Sequence, residues 1–74
     1  MTPTKLAAEN ILFGRRLRDA RLSAGMSQQS LHDATGVAIS LISGVESGKR
    51  NISLQRAALL ANAVGVPLFK LLTP

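Results

Sequence analysis

Hydrophobic residues recur along the chain every three or four positions, and no segment keeps the two-residue alternation of a strand. The pattern predicts four or five helices and no sheet. A first apolar stripe runs through Leu6, Phe13, Leu17, Ala20 and Ala24 and stops at Gly25. Thr2 and Pro3 suit the cap and first position of such a helix, and a helix starting afresh at Asn10 fits the same stripe. Gly14 sits inside the stripe and weakens a helix by about 1 kcal/mol relative to alanine.

The most informative stretch is Gln28 to Ser47, which reads as two short helices joined by a tight turn. Ser27 is a good N-cap for the first, and Leu31 and Ala34 give it an apolar face. Thr35 and Gly36 interrupt it, Gly36 being suited to the left-handed conformation that ends a helix. The second helix is expected from about Ala38 to Ser47. Turning by about 100° per residue, it sends Leu41, Ile42 and Val45 to one side. Ile39, Ser40, Ser43, Gly44 and Ser47 fall on the other side, ahead of the polar run Gly48-Lys49-Arg50-Asn51. A fourth helix is capped by Ser53 and turns Leu54, Ala57, Leu60, Ala61 and Val64 inward, with Gly65 at its end. Pro67 opens a short last helix, Leu68 to Leu72.

The spacing Ser27-Gln28, Ala34-Thr35-Gly36-Val37 and Ile42-Ser43-Gly44-Val45-Glu46-Ser47-Gly48-Lys49-Arg50-Asn51 resembles the helix-turn-helix of the lambda-repressor-like proteins, of the Cro, C1 and XRE type. The resemblance extends from about Phe13 to Leu72. It implies an all-α domain of five helices, with the motif at residues 28–47 and a single domain over residues 1–74. The run from Ile42 to Asn51 further resembles the controller proteins of restriction-modification systems, which carry a similar Ile-Ser-Gly-Ile-Glu sequence there.

Composition agrees with that reading. Nine Lys and Arg against four Asp and Glu give a net charge of +5, and the sequence pI near 11.4 lies in the range of nucleic-acid-binding domains. Only Phe13 and Phe69 are aromatic, which disfavours a platform that stacks single-stranded bases. Cysteine is absent, so no disulfide framework or thiolate metal site is expected. His32 has no companion ligands at metal-binding spacing, and no metal or cofactor is expected. No apolar run approaches the roughly 18 residues of a membrane span, and the start lacks the apolar core of a signal peptide; a cytoplasmic location follows as the expectation. One histidine and four carboxylates offer no catalytic spacing.

Duplex recognition needs phosphate contacts for position and base-edge contacts for sequence. The resemblance places Ile39, Ser40, Ser43 and Gly44 at base-reading positions. The usual Arg, Lys, Gln or Asn is missing from them. Serine hydroxyls serve several bases and Ile39 suits a thymine methyl, so direct readout is modest and DNA shape carries more of the preference. Ser27, Gln28, Ser47, Lys49, Arg50 and Asn51 match positions that grip the sugar-phosphate backbone, a role suited to cationic and amide donors. Arg15, Arg16 and Arg18 read as a solvated face. The resemblance also implies a partly buried salt bridge between Arg21 and Glu46 that orients the recognition helix. His32 and Ala38 depart from the pattern, which favours alanine at the first and a capping side chain at the second.

Apolar residues remain once the core is assigned, namely Leu59, Leu68, Phe69 and Leu72, with Ile11 and Leu12 beside them or over the last helix. A homodimer covers such a surface and suits a two-fold operator with half-sites about 34–36 Å apart. The sequence thus points to a dimeric, sequence-specific transcriptional regulator of autoregulating type. The alternative is an antitoxin or protein-interaction module on the same fold, with a toxin as partner.

Overall fold

The computed structural model describes residues 8–74. Over them the chain forms α1 (Ala8–Ser23), α2 (Gln28–Thr35), α3 (Ile39–Glu46), α4 (Leu54–Ala63) and α5 (Leu68–Leu71), with no strand among the described residues. Thr2, Pro3 and Leu6 lie outside the described residues. Because α1 is already helical at Ala8, the first helix does not start afresh at Asn10.

Two of the helix starts follow from capping serines. Ser27 Oγ accepts the Ser30 amide at 2.9 Å and Ser53 Oγ accepts the Arg56 amide at 3.1 Å, each satisfying a donor that the helix itself leaves open. Ala38 holds the same place before α3 and has no side chain to offer. Ala38→Ser should therefore raise stability by about 1 kcal/mol, read as a higher denaturant midpoint. An unchanged midpoint would mean that the first amides of α3 gain nothing from a cap.

The turn between α2 and α3 is tied by its own side chains. Thr35 Oγ1 donates to Leu31 O at 2.7 Å and accepts the Val37 amide at 3.2 Å. Gly36 adopts φ 76°, a conformation that costs an L-residue about 1–2 kcal/mol. His32 does not disturb this helix pair. Its Nδ1 lies 2.8 Å from the carbonyl oxygen of Val37, so that nitrogen carries the proton and the ring bridges the turn.

The core is a single cluster to which every helix contributes: Phe13 and Leu17 from α1, Leu31 from α2, Ile42 and Val45 from α3, Ala57, Leu60 and Ala61 from α4, and Leu71 from α5. Val37 and Val64 close it from the connecting segments. Each large side chain buried here contributes about 1.5–3 kcal/mol. Helix α1 lies against α3 and α5, α2 against α3 and α4, and α4 against α5. Helix α3 is thereby backed by both α1 and α2, which fixes the direction of its outer face.

Three residues expected inside are outside. Ala24 falls beyond the end of α1 and is exposed, as is Ala34. Leu54, the first residue of α4, is 72% exposed; helical side chains lean toward the amino end, and at the first residue that end is open. Gly14 is likewise more than a weak point in α1. It is buried, and a Cβ built on it would overlap the Val45 carbonyl oxygen and come within 3.3 Å of Glu46 Cα. Its missing side chain lets α1 and α3 cross at backbone contact.

Candidate nucleic-acid interface

The outer face of α3 is set by a buried ion pair. Arg21, in the last turn of α1, donates from Nε to Glu46 Oε2 at 2.7 Å and from a terminal nitrogen to Glu46 Oε1 at 2.9 Å. Its other terminal nitrogen donates to Met26 O at 2.9 Å, so one guanidinium joins α1, the turn after it and α3. The side chains are only 8% and 3% exposed, and a forked pair of this kind fixes orientation as well as charge. The hydrogen bond with Glu46 raises the Arg21 pKa, burial opposes the rise, and the Glu46 charge adds to it. A raised value stabilises the fold below the ordinary arginine range and is lost only above it, so Arg21 adds no pH dependence near neutrality.

Beyond Glu46 the chain turns sharply, and the turn positions the basic residues. The Gly48 amide bonds to Val45 O at 3.1 Å and the Lys49 amide to Gly44 O at 2.8 Å, the paired bonds of a Schellman ending. The Arg50 amide and Ser47 Oγ also donate to Gly44 O, at 3.1 and 3.0 Å. Lys49 and Arg50 are consequently held on a fixed backbone directly after the recognition helix, both exposed.

The structure sorts the remaining residues singled out from sequence. Ile39, Ser40 and Ser43 are exposed along the outer face of α3. Gly44 is half-buried, and a Cβ there would overlap the aliphatic stem of Arg50. It makes room for the stem of this chain's own Arg50. Ser27 Oγ is engaged as the cap of α2 and lies 3.0 Å from Ser30 Oγ. The Ser47 hydroxyl proton is committed to Gly44 O. Asn51 Oδ1 accepts from Asn10 Nδ2 at 2.9 Å, fastening the turn after α3 to α1. Ile11 lies beside Gly48 in the same turn.

Gln28 opens α2 as expected and makes one contact that the sequence did not reveal. It stands at the positive end of the helix, and its Nε2 donates to Glu46 Oε1 at 3.1 Å. Arg18, read from sequence as part of a solvated face, is exposed. It lines a depression of about 280 Å³ together with Gln28, Ser43, Glu46 and Ser47, between α1, the start of α2 and α3. The signal available in sequence was its place three residues before Arg21, on nearly the same helix face. No grouping of three or more potential metal ligands occurs among the described residues, and no helix among them is long and apolar enough to cross a membrane.

Two short helices at a glycine turn, the second braced from behind and bare in front, define a helix-turn-helix protein. The chain belongs to the helix-turn-helix family, whose pattern it matches over residues 17–71. It is 39% identical over 57 residues to the control protein C.BamHI of Bacillus amyloliquefaciens, a match covering 76% of this chain and 70% of that protein. The fold superposes on the restriction-modification controller protein C.AhdI from Aeromonas hydrophila with a TM-score of 0.80 at 38% identity, covering 88% of this chain and 98% of that one. It also superposes on the controller protein C.Esp1396I, solved as a tetramer in complex with its natural 35-base-pair operator. That match has a TM-score of 0.80 over 90% of this chain and 92% of the other; at 23% identity it shows a shared fold alone.

Proposed function

We propose that this protein is a sequence-specific regulator of transcription that binds duplex DNA as a homodimer on an inverted-repeat operator. It is a cytoplasmic, non-enzymatic protein of one domain, residues 1–74, and it regulates its own synthesis in the manner of a restriction-modification controller or small phage-type repressor. The observation that carries this reading is the outer face of α3. Exposed Ile39, Ser40 and Ser43 stand on a helix braced by the Arg21–Glu46 pair and are followed at once by exposed Lys49 and Arg50. A major groove about 12 Å wide admits one helix presented in this way. Its relationship to C.BamHI and C.AhdI supports the controller reading.

Lys49 and Arg50, with Asn51 and Gln28, hold the phosphates, while Ser40 and Ser43 face base edges and Ile39 faces a thymine methyl. Titrating duplex binding against salt tests this division. The double replacement Lys49→Ala, Arg50→Ala should weaken binding to every sequence and flatten the log–log salt slope by about 0.9 for each phosphate no longer neutralised. An unchanged slope would show that neither residue holds a phosphate.

The dimer surface is formed by α4 and α5, which pack on each other. Leu59, Phe69 and Leu72 are 47%, 62% and 40% exposed, far more than their apolar character favours in water. Leu68 contributes less, because it is half-buried against the core. Phe69→Lys should give a folded monomer in sedimentation with weakened operator binding. A dimer that persists in this variant would place the interface elsewhere.

A further inference from the structure

We propose that Asn10 is a positioning residue for DNA binding, holding the Asn51 carboxamide so that its amide nitrogen faces the duplex. This rests on the DNA-binding reading above, in which Asn51 is one of the phosphate donors, and adds a residue of α1 that sets the direction of that donor. Asn10 Nδ2 donates to Asn51 Oδ1 at 2.9 Å, across 41 residues of sequence. Among the described residues this is the one hydrogen bond that fixes Asn51. The turn ahead of it is tied separately, through the Lys49 and Arg50 amides on Gly44 O, and the helix behind it starts at the Ser53 cap. Asn51 lies between those two fixed points and belongs to neither.

A carboxamide has one accepting end and one donating end. With Oδ1 engaged by Asn10, the free end of Asn51 is Nδ2 with its two protons. Turned the other way, the same side chain would put an oxygen toward the anionic backbone of the duplex and repel it. A second contact comes from the next residue of α1: a Cβ on Gly48 would stand 3.8 Å from the γ carbons of Ile11. Asn10 and Ile11 thus meet the turn at Asn51 and at Gly48. Asn51 is exposed and Asn10 half-buried, and a bond between such groups adds little to folding. Its value lies in binding, because a side chain already held in the geometry its ligand needs loses less freedom on association.

The test titrates four chains against a mixed-sequence duplex at low salt: the intact chain, Asn10→Ala, Asn51→Ala and the double variant. Asn10→Ala should weaken binding about threefold to tenfold. The salt slope should not change, because no charge is lost, and the denaturant midpoint should stay near that of the intact chain. In the Asn51→Ala background, Asn10→Ala should cost nothing further. An equal loss in both backgrounds would overturn the positioning role, since Asn10 would then act on DNA without Asn51. So would an Asn10→Ala chain that binds as the intact one does while Asn51→Ala binds more weakly; the phosphate role of Asn51 would then stand alone. If Asn51→Ala bound as tightly as the intact chain, or the intact chain bound no duplex, the underlying reading would fail and the role of Asn10 with it.

Discussion

Glu46→Ala should destabilise the fold by about 3–5 kcal/mol, the usual cost of stranding one partner of a buried pair. The variant leaves the Arg21 guanidinium with Met26 O as its remaining partner, behind a side chain only 8% exposed. It also frees the Gln28 amide that now bonds to Glu46. A domain of this size holds a total stability of about 5–10 kcal/mol, so the change removes a large share of it. The measurement is a denaturant midpoint at neutral pH. Replacing both residues by apolar ones of similar volume, Arg21→Met with Glu46→Leu, should recover most of the loss, because no buried charge is then left unpaired. A Glu46→Ala midpoint near that of the unaltered protein would show the pair to be worth no more than a surface bridge.

Gly14→Ala is expected to destabilise by about 3 kcal/mol or more, at the upper end of what overpacking costs. The sign of the change is diagnostic. Helix propensity alone favours the alanine by about 1 kcal/mol, so a helix read in isolation predicts a more stable protein. The added methyl would meet the Val45 carbonyl and the Glu46 backbone, and no rotamer change moves these aside. Either α1 shifts away from α3, opening the core around Phe13 and Val45, or the crossing is lost. A variant with a raised midpoint would contradict the close crossing. Because the crossing also sets the pose of α3, any folded Gly14→Ala protein should bind DNA more weakly.

The fold was legible because its instructions are local. Serine caps at Ser27 and Ser53, the glycines after α1 to α4, and apolar residues three and four apart decide where helices start, end and turn inward. The Arg21–Glu46 pair came from resemblance, since 25 residues separate the two in the chain and spacing alone cannot join them. What was hidden depends on how helices cross. Gly14 looked like a weak point because the Val45 carbonyl that needs its space lies in another helix. Gly44 makes room for the stem of Arg50, which belongs to the turn that follows and not to the helix pattern. Leu54 and Ala34 keep the helical rhythm yet face water, because periodicity gives direction around an axis and not what stands opposite.

On the proposed reading, a dimer of this chain reads sequence in duplex DNA through α3. Selection of bound molecules from a pool of random duplexes at near-physiological salt, read by sequencing, tests it most directly. Enrichment of an inverted repeat with a fixed centre spacing is expected, its half-sites about one helical turn apart. Recovery of an unenriched or merely AT-biased pool would contradict it, leaving a basic domain with only non-specific attraction to DNA.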